Sequence, residues 1–266
     1  MKSVKLIFVA VFILTSFATS IAQVGYNPLS VRPILEDDIM YRKRVERRIN
    51  LKEKQNLPFF AQDRLITLII LDGVATGEVT PYNDGVSVDS LVPKYVMKSE
   101  DWKKALLDSN TTGAAIEPKD VTLLDITEDY IFDKRRSRMY IDILSVKLVV
   151  LPNAAGNAAG GGAGVLSVLA QFKYKDLHEY FKKVYARSNQ TQAFWFNPKN
   201  DRRKMCFSDA FDLRLFSSRI IKISSPADEK IGEERTGEYA TPLKQLYRSQ
   251  EIEYELMEYE HNLWEF

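Results

Sequence analysis

"DYIFDKRRSRMYIDILSVKLVVL", residues 129–151, decides the fold class. Aromatic and β-branched residues fill both ends of the stretch, and a polar run from Asp133 to Ser137 interrupts it. That pattern is the mark of two antiparallel strands joined by a short turn. The extended character begins at Val121, runs to Val150, and resumes over residues 165–172 after the run "PNAAGNAAGGGAG" at 152–164. An antiparallel sheet is therefore expected at the centre of the chain.

Outward from the sheet, the spacing turns helical. In "EDDIMYRKRVERRINLKEKQN", residues 36–56, Ile39, Val45 and Ile49 give a partial stripe, carboxylates stand at the start, and Pro58 follows the end. This predicts a helix with a strongly basic exposed face. "QDRLITLIIL", residues 62–71, reads as a second helix, although it is apolar enough for a strand. A short helix starts at Ser99 and runs to about residue 107, and another covers residues 177–185. The chain closes in a longer helix: Thr241 can cap it and Pro242 suits its first position, with Leu243, Leu246, Tyr247, Tyr254 and Met257 at helical spacing. Its other side is acidic, through Glu251, Glu253, Glu255, Glu258 and Glu260. The expected fold is α+β, mixed helices with a small antiparallel sheet and a long C-terminal helix.

With 266 residues and 37 basic against 36 acidic side chains, the chain has the composition of one large or two small globular domains, not of a disordered or fibrous protein. Lys2 and Lys5 precede an apolar run from Leu6 to Leu14 and the small-residue end Ser20-Ile21-Ala22, the layout of a secretory signal peptide cut after Ala22. The mature domain is then residues 23–266. Its loss of Lys2 and Lys5 leaves 35 basic against 36 acidic residues, a formal charge of −1, which gives no global attraction to nucleic acid. No cysteine follows the cut, which excludes the usual bacterial lipoprotein route. Cys206 is the only cysteine, so no internal disulfide can form and the core must supply the stability.

Candidate chemistry is thin. The glycine run 152–164 is followed by Val165-Leu166 and lacks the lysine and hydroxyl of a phosphate loop, so it reads as a flexible insertion. His178 and His261 are far apart, and neither a cysteine pair nor a calcium loop accompanies them. Asp37 and Asp38 could serve as paired acids on a glycan, but adjacent residues point apart and fit dipole compensation better. Cys206 is expected to be buried and inert. No catalytic, cofactor or metal residue is assigned. The basic cluster Arg42, Lys43, Arg44, Arg47 and Arg48 can face phosphate, an anionic wall polymer, an acidic protein surface, or solvent alone. In "FNPKNDRRKMCFSDAFDLRLFSSRIIK", residues 196–222, Asn197-Pro198 marks a turn, Ser208 is placed to cap a short helix, and "RIIKI" reads as a strand.

That last stretch, with "FNPKND", Arg203, Phe207, Phe211, Arg214 and "FSS", resembles the signature of the gliding motility family GldN, also called PorN. "YRKRVERRINLKEKQNLP" (41–58), "DYIFDKRRSRM" (129–139) and "EHNLWEF" (260–266) are similar to the family's N-terminal, central and C-terminal motifs, in the same order. The chain departs from the pattern at Glu46, where an aromatic residue is expected, and in its Ala/Gly-rich insertion. The resemblance implies a non-enzymatic periplasmic component of the type IX secretion and gliding machinery. It further implies a ring built with an outer-membrane lipoprotein of the GldK/PorK kind, and contact with the periplasmic part of a GldM/PorM-like motor component. A closing ring needs two unlike faces on each subunit. The basic segment with Arg42, Arg44, Arg47 and Arg48, and the acidic C-terminal helix with Glu258, are candidates for them, joined by Arg214 and by the aromatic anchors Trp264 and Phe266. The alternative is a periplasmic peptidoglycan-binding or wall-processing protein.

Overall fold

The computed structural model describes residues 25–32, 34–106, 116–151, 166–200, 204–226, 230–231 and 241–263. The expected signal peptide and the 152–164 insertion lie outside the described residues. In chain order the elements are β1 (Ile39–Asn50), α1 (Ile66–Ala75), α2 (Ser99–Ala105), β2 (Leu123–Asp133), β3 (Arg138–Val150), β4 (Ser167–Lys173), α3 (Tyr174–Arg187), β5 (Phe194–Trp195), β6 (Met205–Cys206), α4 (Phe207–Asp212), β7 (Arg219–Ile223) and α5 (Pro242–Leu263). Five strands form one antiparallel sheet in the order β4-β3-β2-β1-β7, and β5 pairs with β6. The α+β fold expected from the sequence is the one observed.

The central hairpin forms where the quoted stretch puts it. β2 and β3 pair from Leu123↔Val149 to Asp133↔Arg138, with a bulge on β3 opposite Thr127 and Glu128. Asp133 closes the turn, its Oδ1 accepting the N–H groups of Arg135 and Arg136 at 2.9 and 3.1 Å. Side-chain acceptance of this kind replaces the ladder bonds a turn gives up.

Residues 36–56 correct the sequence reading. Glu36–Asp38 is a single 3-10 turn, and Ile39–Asn50 is a strand rather than a helix. Val45, Arg47 and Ile49 alternate with Arg44, Glu46 and Arg48, and only the first set is buried. Val45 and Ile49, four apart, satisfy period 2 as well as period 3.6, which is why the stripe misleads. The arginines conceal the alternation, since one of them occupies the apolar face and is neutralised there by residues of β2.

The two faces of the sheet differ. On one, Ile49, Leu124, Ile126, Val146 and Leu148 meet Leu177, Tyr180 and Phe181 of α3 and Phe207 and Phe211 of α4, with Phe59 tilted against the last two rings at centroid distances of 5.5 and 5.3 Å. On the same face, at the β7 side, Ile252 and Leu256 of α5 join Val45, Tyr130 and Ile220. Each such side chain, fully buried, stabilises by roughly 1.5–3 kcal/mol. The opposite face is polar, carrying Asp125, Thr127, Asp129, Ser145 and Gln171, all buried. The segment around Tyr82, Val88 and Leu91 covers part of it.

Both sheet edges are engaged in passing. Tyr82 exchanges N–H···O bonds of 2.8 and 3.0 Å with Gln171 of β4, and the N–H of Ile231 reaches the carbonyl of Ile221 in β7 at 2.8 Å. α1 approaches α3 closely at Gly73, where an added Cβ would lie 2.8 Å from the Tyr180 ring and 2.8 Å from Val79. Two smaller readings also change. Cys206, not Ser208, is the N-cap of α4, and no side chain caps that helix. Asn197 does form its turn, its Oδ1 accepting the Lys199 N–H at 3.0 Å.

Candidate functional site

Glu128 is the centre of the most connected polar cluster. It is wholly buried, on the helix-bearing face of the sheet. Its carboxylate accepts Arg47 Nε at 2.6 Å and the two Arg214 Nη groups at 2.7 and 3.2 Å. Arg47 in turn donates to Glu253 of α5 at 2.6 Å and to the Tyr130 hydroxyl at 2.8 Å. Burial disfavours the Arg47 charge, but Glu128, with Tyr130 and Glu253, more than offsets it and holds the guanidinium above its ordinary pKa. Two arginines and two glutamates thus neutralise one another where β1, β2, the chain after α4 and α5 converge. Arg214 reaches this position from a left-handed backbone, φ 55°, just past α4.

On the polar face, a ladder of cross-strand pairs uses the remaining arginines. Arg48 is bidentate to Asp125 at 2.7 and 2.7 Å. Arg44 is bidentate to Asp129 at 2.8 and 3.0 Å and also engages Asp89, and Asp129 chiefly holds its pKa up. Arg42 forks onto Glu36 at 2.8 and 2.7 Å. Beside them opens a cavity of about 590 Å³ lined by Arg42, Arg44, Lys147, Lys222 and Lys230, with Glu46 and the hydroxyls of Ser87, Thr127 and Ser224. Its chemistry suits an anion more than an apolar ligand.

α5 offers the third surface. Its inner side is fixed by the Arg47–Glu253 pair, by the Ser249 hydroxyl accepting the Ile220 N–H at 2.9 Å, and by Tyr259 against Tyr41 with ring centroids 4.4 Å apart. Four large side chains that the sequence places on helical spacing, Leu243, Tyr247, Tyr254 and Met257, therefore point outward, at 58%, 61%, 69% and 56% exposure. The residues that pack inward are Ser249, Ile252 and Leu256.

Other titratable groups have structural partners. His178 Nε2 lies 3.2 Å from Asp212 Oδ2, and the Tyr174 hydroxyl donates to Asp212 Oδ1 at 3.0 Å. Burial works against that carboxylate, and His178 and Tyr174 hold it below its ordinary value. Cys206 is buried, and burial pushes its thiol up, away from the thiolate a nucleophile needs. Burial also pushes the Asp142 carboxyl up to about 6, opposed by the Ser30 hydroxyl and Arg32 and reinforced by Asp129. Among the described residues, no group of three or more His, Cys, Asp or Glu side chains could hold a metal, and no helix is long and apolar enough to cross a membrane.

Of the sequence-derived interface residues, Arg47 and Arg214 come together on Glu128, Arg42 and Arg44 line the cationic cavity, and Arg48 is held by Asp125. Glu258 is exposed on α5, while Trp264 and Phe266 fall outside the described residues. Glu128 and Tyr130 have no role in the sequence reading, and Glu253, read there as part of the acidic side of the helix, turns inward onto Arg47. The signal available was their position: Glu128 and Tyr130 flank the start of the central motif, and an acid beside a run of strand-forming residues opposite a basic motif is a pairing cue.

The family profile described as "Gliding motility associated protein GldN" matches residues 34–265, a span that holds all of the elements above. No curated protein matches the chain. With the profile covering most of its length, the chain belongs to the GldN family, a component of the gliding motility and type IX secretion machinery.

Proposed function

We propose that the chain is a non-enzymatic structural subunit that assembles in the periplasm into a ring with an outer-membrane lipoprotein of the GldK/PorK kind and contacts a GldM/PorM-like motor component. The observation that carries this reading is α5. One side of the helix is fastened to the sheet, and the other presents four large apolar side chains outward, a surface that a lone soluble subunit has no reason to keep. The arginines of the basic motif support the reading in a different way. They are paired with acids of the same chain, so the motif builds the sheet on which α5 is displayed.

The test is co-purification of the tagged mature protein from detergent-solubilised envelopes, with mass spectrometry and negative-stain imaging. Rings or arcs containing a lipoprotein of that kind are expected. A soluble monomer without a lipoprotein would overturn the proposal.

A second reading, binding to peptidoglycan, draws on the cationic cavity, whose Lys147 and Lys230 are placed to meet the carboxylates of wall peptides. Pull-down with purified peptidoglycan separates the two. Retention lost on substitution of Lys147 and Lys230 favours the wall reading, and absence of retention removes it.

A further inference from the structure

Leu243, Tyr247, Gln250, Tyr254, Met257 and His261 follow one another along α5 at alternating steps of four and three. That is the seam of a two-helix contact, since steps averaging 3.5 keep the same side of a helix turned to a neighbour. Nothing among the described residues fills the role of neighbour, because the rotation of α5 is fixed by Arg47, Ile220 and Tyr41 on its far side. The seam cannot roll inward to bury itself.

The flanks of the seam say what chemistry covers it. Glu251 and Glu258 lie on one side and Glu253 and Glu260 on the other, with Lys244 as the cation beside the first turn. Glu253 is taken by Arg47, and Glu251 shares Arg248 with Glu255. Glu258 and Glu260 have no ion-pair partner among the described residues. Paired parallel, a second copy of this helix would set glutamates against glutamates along the C-terminal half; paired antiparallel, it would set Glu251 against Glu251 while Lys244 meets Glu258, which leaves no clear gain from charge. A helix with an apolar seam and Lys or Arg at its flanks meets Glu251, Glu258 and Glu260 all favourably, which a second copy does not.

The geometry points to α5 as the docking face for an amphipathic helix of a different protein, one whose apolar seam is bordered by Lys and Arg. This rests on the scaffold reading in taking the surface to be a protein contact, and it adds the helical form and the charge of the partner. Leu243, Tyr247, Tyr254 and Met257 supply the buried anchors, and the glutamates set orientation and exclude acidic competitors.

The probe is a fluorescently labelled three-heptad peptide with Leu at the seam and Lys at the flanks, titrated with the mature protein and followed by anisotropy. A sister peptide carries Glu at the flanks. The Lys peptide is expected to bind and the Glu peptide to bind at least tenfold more weakly. Tyr254→Ser with Met257→Ser should weaken Lys-peptide binding at least tenfold, and Glu258→Lys with Glu260→Lys should reverse the preference. These side chains are exposed, and unchanged circular dichroism would confirm that the variants fold.

Equal binding of both peptides, or binding untouched by the Tyr254 and Met257 substitutions, would overturn the inference. So would sedimentation showing a dimer of the mature protein that those two substitutions abolish, since the occupant would then be a second copy. Failure of the peptide with rings still recovered from envelopes overturns the helix partner alone. Absence of rings with the peptide bound overturns the scaffold reading alone.

Discussion

Arg47 shows how far a charged residue can be absorbed into a core. Removing one member of a buried ion pair costs up to about 3–5 kcal/mol, and because Glu128 keeps Arg214 as a second partner the cost here falls at the lower end of that range. Arg47→Met is therefore expected to destabilise the mature protein by about that amount in urea unfolding, and Glu253→Gln, which loses only the partly exposed arm, by about 1 kcal/mol or less. Charge reversal at Arg47 would test folding before it tested assembly. Asp142 makes a pH prediction. Its carboxyl titrates near 3.9 when unfolded and at about 6 in the fold. The folded state holds the proton more tightly, so this group's stabilising contribution is fully present below the unfolded value and is lost as pH rises through about 6. Asp142→Asn should raise stability at pH 8 by on the order of 1–3 kcal/mol and have much less effect at pH 4. Denaturant midpoints at the two pH values check it.

Individual elements differ in how openly the sequence states them. The β2–β3 hairpin and α5 are legible because turn chemistry and a long periodic run are local signals, and Pro242 does occupy the first position of α5. β1 is not, because its identity depends on Asp125, Glu128 and Asp129 of another strand accepting its arginines, a pairing that no window of β1 contains. The orientation of α5 is hidden for a related reason. Both sides of the helix carry apolar residues at helical spacing, and contacts from other elements, Arg47, Ile220 and Tyr41 with Val45 and Tyr130, decide which side turns in. The candidate cavity is likewise assembled from β1, β7, the β2–β3 hairpin and the 85–88 segment, which lie far apart in the sequence. Gly73→Ala should cost about 1–3 kcal/mol, because the new methyl overlaps Tyr180 and Val79 and α1 must shift to admit it. Ile252→Ala should cost about 2–5 kcal/mol by opening a void between α5 and the sheet, and α5 should gain amide hydrogen exchange ahead of the hairpin.

For the molecule as a whole, the sheet divides two kinds of surface, the helix-bearing side with α5 at one end and the polar side with its cationic cavity. Substituting the outward face should separate assembly from stability. Tyr247→Ser with Tyr254→Ser is expected to change unfolding free energy by no more than about 0.5 kcal/mol while lowering the yield of rings from envelopes, read by negative-stain counting. Loss of stability equal to the loss of rings would mean that these tyrosines hold the fold instead.

The bridges at Gln171 and Ile221 have a further consequence. A bare outer strand is a template on which a neighbouring chain can crystallise in register, and that is the route by which crowded β-proteins turn into fibrils. Here each outer strand is already occupied near its middle by a short piece of its own chain. Copies packed side by side at high local concentration are thereby denied backbone zippering, and are left with side-chain contacts that can form, be proofread and come apart.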